Sequence, residues 1–249
     1  MVNAVLIKLK KYNHNLNQKA MTILEIIMQT NDLNETENFY TNKLQLELVE
    51  KKENTISFMA GETKLTFEKT THNENPHYHL AFNIPVNKLE EAMKWGDHKF
   101  ELVLNQEQGY ITTFAKWKAK SFYFYDNNNN LAEFIIRTDL NNHSDEAFSS
   151  KNILNVSEIG IVSDKPLELA EQIVKQTGID YFSKESKLEN FVALGDDNGL
   201  LIIVSPNRNW YPTDRKAEKQ KLSIRIKTDE TEITLHLNEQ GMPSELSEA

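Results

Sequence analysis

The 249-residue chain carries 28 Lys and Arg against 37 Asp and Glu, a formal net charge of −9, with 39% hydrophobic residues and no cysteine. That balance argues against a nucleic-acid partner, which needs a concentrated basic surface, and no apolar run approaches the roughly 18–20 residues of a membrane span. The missing cysteines rule out disulfides, thiolate metal sites and cysteine nucleophiles, and fit a reducing, cytoplasmic setting.

Residues 1–20 hold four lysines and no acidic residue. The apolar stretch Ala4–Leu9 is too short for a signal peptide and its charge follows it, so the segment reads as a loose extension. From Met21 onward one pattern repeats: an alternating strand, a polar turn with helix-start residues, and an amphipathic helix. The first copy is Leu24–Met28, Asn31–Leu33 and a helix through Phe39, Tyr40 and Leu44. Asn34 and Glu37 stand at capping-box spacing before it. A meander follows over Leu46–Val49, Thr55–Phe58 and Leu65–Glu68, which makes the unit β-α-β-β-β.

The second copy opens with His79–Ile84, turns at Pro85–Asn87, and continues as a helix through Leu89, Ala92 and Met93, with Asn87 and Glu90 at capping-box spacing. Strands are expected at Phe100–Leu104 and Tyr110–Lys116. A closing strand, LAEFIIR, follows the turn Asp126–Asn130. The polar stretch 139–151 reads as a linker between domains. The third copy is Glu158–Val162, Ser163–Pro166 and a helix through Leu169, Ala170, Ile173 and Val174, with strands at Phe191–Leu194 and Leu200–Val204. Strands at Leu222–Lys227 and Glu232–Leu237 follow without a fourth helix, and 239–249 reads as a frayed tail.

Repetition dominates this reading, because a unit this short cannot hide its own apolar face and must pack against another copy. Two open sheets would each expose an edge, and pairing them side by side removes it. The expected fold class is therefore α+β. Modules 21–72 and 77–138 pair into an eight-stranded cup (21–138), followed by a smaller, shortened module of similar type over 152–238.

The repeated βαβββ unit, with NFYTNKLQLEL after strand one and FYFYDNNNNLAEFIIR closing module two, resembles the vicinal-oxygen-chelate superfamily. That group includes glyoxalase I, extradiol ring-cleaving dioxygenases and fosfomycin- or bleomycin-resistance proteins. The likeness covers Thr22–Arg137 and extends to Val156–Val204. It implies metal ligands from the first and last strands of the modules, converging inside the cup. Carried over, these positions are Glu25, His79 and Glu133. Thr66 stands at the closing-strand position of module one, and Glu68, two residues on, becomes a fourth candidate. The implied cofactor is a divalent metal, Fe, Mn, Ni or Zn. One imidazole and two carboxylates are poorer in nitrogen than the two-histidine set of an iron oxygenase. Glu133 and Glu25 are also the carboxylates implied to move a proton in catalysis.

A lone histidine in an apolar strand is commonly a packed core residue; the repeat is what singles out His79. Tyr123 and Tyr125 share the face opposite Phe122 and Phe124, and with His77 are expected to contact substrate. His72 and His98 read as solvated. Trp210 and Tyr211 are expected to cover the second core. Glu158 repeats the Glu25 position in the third module and, lacking a recognisable partner strand, reads as structural. The function implied is a small-molecule metalloenzyme of the glyoxalase or ring-cleaving extradiol dioxygenase type. The alternatives are a non-catalytic binding protein of the same superfamily, or a CppA-like protein joining a similar cup to a distinct C-terminal domain. Partners are expected to be a small-molecule ligand, with a homodimer left open and neither nucleic acid nor membrane.

Overall fold

The computed structural model describes residues 21–70, 76–206, 208–229 and 231–248. The expected extension at 1–20 and His72 lie outside the described residues. The first module runs β1 (Thr22–Thr30), α1 (Leu33–Asn38, continued by a π-helical turn at Phe39–Lys43), β2 (Glu47–Lys51), β3 (Thr55–Ala60) and β4 (Thr63–Lys69). The second runs β5 (His79–Asn83), α2 (Leu89–Gly96), β6 (Leu102–Val103), β7 (Thr112–Phe114), β8 (Ala119–Tyr125) and β9 (Leu131–Arg137). The third runs β10 (Asn155–Val162), α3 (Pro166–Thr177), β11 (Phe191–Asp196) and β12 (Gly199–Val204), and β13 (Leu222–Lys227), β14 (Glu232–Leu237) and β15 (Pro243–Glu248) complete the chain.

The helix starts differ from the expected capping boxes. Asp32, with its short carboxylate in an extended residue, accepts from the backbone N–H groups of Asn34 and Glu35 at the start of α1. Asn87 does not cap α2; its side chain bonds Ser144 instead. In α3, Pro166 occupies the first turn and Gly178 ends the helix at φ 69°, the left-handed conformation that glycine adopts without strain.

In every module the first strand lies parallel to the last: β1 with β4, β5 with β9, β10 with β12. The fold class is therefore the expected α+β arrangement of βαβββ modules, but the choice of partners corrects the expectation. Modules one and two do not pair side by side. One sheet has the order β15-β14-β13-β1-β4-β3-β2, and the other has β11-β12-β10-β5-β9-β8-β6, with β7 beside β8. Each sheet thus draws strands from both sides of 139–151, and the hydrogen-bonded architecture does not divide there.

The physical reason is matching of burial and charge. All five residues of β5 and all eight of β10 are buried, and these two strands lie antiparallel at the centre of one sheet. β1 and β13 both alternate between buried and part-exposed positions, and Glu25 of β1 stands opposite Arg225 of β13. An opposed pair of unlike charges favours that register. The part of the expected tail that the structure describes, 239–248, is likewise not loose, because β15 adds to β14. The chain reaches it through Gly241 at φ 67°, where any Cβ would lie 2.1 Å from the Val162 carbonyl oxygen.

A continuous apolar core joins the two sheets and their helices; Ile26, Phe67, Phe82, Phe134, Ile159, Ile173 and Ile224 all belong to it. A separate apolar cluster fills the opposite face of the β5–β10 sheet and includes Tyr123, Val162, Phe182, Ile202 and Trp210. That face forms the cup.

Candidate metal centre

Sheet register alone brings three ligating side chains together. Ala81 of β5 stands opposite Glu133 of β9 on one side and opposite Glu158 of β10 on the other. His79 lies two residues before Ala81, so it projects from the same face. Alanine between the two carboxylates leaves space above it. One ligand atom from each of His79, Glu133 and Glu158 lies within 4.8 Å of the others, and all three residues are buried.

His79 is oriented from behind. Its Nδ1 lies 3.0 Å from the Leu131 carbonyl oxygen, which only accepts, so Nδ1 carries the proton and Nε2 presents a lone pair to the cup. Nε2 is 3.8 Å from a Glu133 carboxylate oxygen. Burial lowers the His79 pKa to about 4, keeping the imidazole neutral. Glu133 is pushed well above the usual carboxylate range, first by burial and then by the charge of Glu158. Glu158 is also raised by burial, but Arg137 opposes the shift.

Arg137 is wholly buried on β9 and donates through Nη2 to Glu158. Its other terminal nitrogen lies 3.5 Å from Asp197, which pairs with Lys184 at 2.5 Å. Lys184 in turn reaches Asp139 at 3.0 Å. An ion-pair chain thus connects the cup floor to the surface.

Above the floor is a cavity of about 300 Å³ whose walls include Phe114, Trp117, Tyr123, Phe191, Trp210 and Tyr211. The Trp210 ring sits 4.9 Å from the His79 ring. Gly160 makes this approach feasible, since a Cβ there would lie 2.6 Å from the Trp210 indole. Gly160 is opposite Ile202 in β12, which is the third-module counterpart of Ala81 opposite Glu133. Where a symmetric site would have a fourth ligand, the chain has an isoleucine. Three protein ligands leave coordination positions open.

Of the residues singled out from sequence, His79, Glu133 and Tyr123 line this cavity. Glu25 does not join them, which corrects the expected ligand set. It lies in the other sheet, 3.2 Å from Lys64 and 3.5 Å from Arg225, and it accepts from Thr66. Two nearby cations satisfy its charge without a metal. Glu68 pairs with Lys221 at 3.1 Å in that same sheet. Tyr125 carries the Arg215 guanidinium 4.8 Å above its ring and is not part of the cavity wall. His77 lines a separate small pocket with Trp210 and Gly241; burial first, then Arg215, lowers its pKa. His98 is exposed beside Asp97. Glu158, read as structural, is the third member of the cluster, and its position in the repeat was the signal. Arg137 had the signal of lying on the same strand face as Glu133.

The donor set fits a divalent cation. A neutral imidazole aimed inward, with two buried carboxylates and one arginine to offset them, leaves net negative charge that a cation relieves.

Repeated βαβββ modules paired through their first strands define a vicinal-oxygen-chelate fold. Residues 22–134 match the model of the Glyoxalase/Bleomycin resistance protein/Dioxygenase superfamily. Among solved structures, maize (Zea mays) glyoxalase I, as a V278E mutant, aligns with TM-score 0.53 at 12% identity over 91% of this chain and 92% of its own. A candidate dioxygenase from Bacillus subtilis subsp. subtilis str. 168 aligns with TM-score 0.55 at 16% identity over 75% of this chain. This chain spans 64% of the length of that Bacillus protein. Such identities establish likeness of fold only. No curated protein matches the sequence. Among the described residues, no helix is long and apolar enough to cross a membrane.

Proposed function

We propose that this chain is a divalent-metal-dependent enzyme acting on a small molecule with vicinal oxygens, held in the cup between the second and third modules. The observation that carries the reading is the convergence of His79, Glu133 and Glu158 at the floor of a cavity large enough for a small substrate. His79 through Nε2 and the two carboxylates would hold the metal, Fe, Mn, Ni or Zn. When bound, the metal supplies Lewis-acid polarisation of substrate oxygens.

The protein's own groups perform the remaining tasks. The Leu131 carbonyl fixes the His79 tautomer. Arg137 orients Glu158 and offsets part of its charge. Glu133, raised by burial and by Glu158, is suited to take up or deliver a proton at its carboxylate oxygen. Tyr123 shares the cavity wall with Glu133, so its phenol is placed to orient a ligand. Trp210 lies over His79 and keeps bulk water from that side.

A second reading is a non-catalytic small-molecule binding protein, supported by the aromatic walls and by the isoleucine at the fourth ligand position. Thermal melting separates the two. For the enzyme, Mn²⁺, Ni²⁺, Zn²⁺ or anaerobic Fe²⁺ raises the melting temperature and His79→Ala abolishes the rise. If small aromatic ligands stabilise the protein while no metal does, the enzyme reading fails.

A further inference from the structure

The cavity is electrically polar along its depth. The floor holds Glu133 and Glu158, both almost fully buried. The outer wall holds Lys116, Glu185 and Arg208, among which Lys116 and Arg208 carry positive charge and Glu185 negative. Glu185 is already engaged: one oxygen accepts from Lys116 at 2.6 Å and the other from the Trp117 indole at 2.8 Å. Lys116 is thereby matched. Arg208 forms no ion pair within 4.0 Å among the described residues; its guanidinium lies instead 4.5 Å over the Phe191 ring. Half-buried on an aromatic face, it is partly stripped of water, and its pKa is lowered by that burial, with the Glu185 charge opposing.

A desolvated guanidinium with free donors is a strong site for a carboxylate or phosphate, because its fork of N–H groups matches two oxygens at once. It is stacked on Phe191, which limits the rotamer freedom an incoming anion would have to freeze out. Metal and carboxylates at the floor, aromatic walls between, and one unmatched cation outside define a ligand with two chemically different ends.

We infer that Arg208 is the specificity-determining residue of the cup, selecting small planar ligands that carry an anionic group on the end away from His79. The inference rests on the reading of the cup as a ligand site with its metal at the floor. A cationic or neutral tail would leave Arg208 unmatched when the ligand displaces water from the wall.

The test compares two probes that share vicinal hydroxyls on one ring and differ in the tail, 3,4-dihydroxyphenylacetate and 4-methylcatechol. Binding is measured by anaerobic calorimetry on the full chain loaded with Mn²⁺. The acid should bind at least about tenfold more tightly than the neutral probe, a difference that corresponds to about 1.4 kcal/mol. In Arg208→Gln the ratio should collapse to within about twofold, while Arg208→Lys, which keeps the charge but loses the fork and the stacking, should keep an intermediate ratio, which separates charge from folding. Equal binding of the two probes to the unmodified protein, binding of neither, or a preference that survives Arg208→Gln overturns the inference. His79→Ala is run alongside to keep the two claims apart. Should it, or the unmodified protein, fail to bind Mn²⁺ while the acid is still preferred, the metal reading falls and the Arg208 assignment stands. Should Mn²⁺ bind through His79 without any preference for the acid, Arg208 alone is wrong.

Discussion

Replacing Arg137 by methionine tests the electrostatic design of the floor. Methionine keeps much of the volume but removes the cation that Glu158 faces. Glu158 then has two choices, to remain charged beside Glu133 without its counter-ion or to take up a proton. Protonation sets the ceiling on the cost. At pH 7 the solution lies about 2.7 units above the ordinary glutamate value, and each unit is about 1.4 kcal/mol, so neutralisation costs about 3.7 kcal/mol. Removing one partner of a buried ion pair has a similar general cost, about 3–5 kcal/mol. For a chain of this length that corresponds to a melting temperature lower by about 7–15 °C. The sign with pH follows directly. The variant's Glu158 has a raised folded-state pKa, so its penalty is largest at high pH and shrinks by about 1.4 kcal/mol per unit as the solution is acidified toward the unfolded value. Differential scanning calorimetry from pH 5.5 to 8, with and without Mn²⁺, reads both effects. Mn²⁺ at a hundredfold excess over its dissociation constant adds about 2.7 kcal/mol, and should raise the melting temperature of the variant as well as that of the unmodified chain. A variant that melts within about 2 °C of the unmodified protein at pH 7, or a deficit that does not shrink on acidification, would refute the reasoning.

Three further outcomes are expected. Because the His79 pKa is depressed to about 4 from an ordinary 6.5, the neutral ring stabilises the fold above pH 6.5, and this contribution is lost as pH falls through that window. His79→Gln should flatten the acid slope of stability there, and an unchanged slope in urea titrations would exclude a buried neutral histidine. Metal affinity should weaken on acidification, since Glu133 holds its proton more firmly than an ordinary carboxylate and the cation must displace it; a pH-independent dissociation constant between pH 5.5 and 7.5 would contradict this. Gly160→Ala should push Trp210 off His79, cost about 1–3 kcal/mol through overpacking, and shift tryptophan emission to the red, whereas an unshifted spectrum with full stability would show that the indole does not sit there.

Much of this architecture was legible in local sequence pattern. The strands at Leu222–Lys227 and Glu232–Leu237 have the expected bounds, and LAEFIIR is β9. The alternation that sets Phe122 and Phe124 apart from Tyr123 matches their division between two apolar clusters. His79 and Glu133 were readable because the repeat and the family resemblance place them at the first- and closing-strand positions of the second module. The pairing of modules was not readable in the same way. Every module presents the same open first-strand edge, so local pattern leaves several partners open, and the choice rests on long-range matching. The clue was present but subtle: β1 and β13 alternate and carry the complementary Glu25 and Arg225, while β5 and β10 are buried along their whole length. Once β10 rather than β1 neighbours β5, Glu158 replaces Glu25 at the cup floor without any change in the repeat logic. Arg137 escaped notice because an arginine closing a strand usually reaches solvent, and only the tertiary fold shows it buried against Glu158.

The central claim is that the metal centre is built by the second and third modules. Mn²⁺ titration of Glu158→Gln and Glu25→Gln, by calorimetry on otherwise identical protein, tests it most directly. The account predicts that Glu158→Gln loses at least about tenfold in affinity, in line with removal of one charged ligand, and that Glu25→Gln binds Mn²⁺ as the unmodified chain does. Loss of binding in Glu25→Gln with Glu158→Gln unaffected would contradict it.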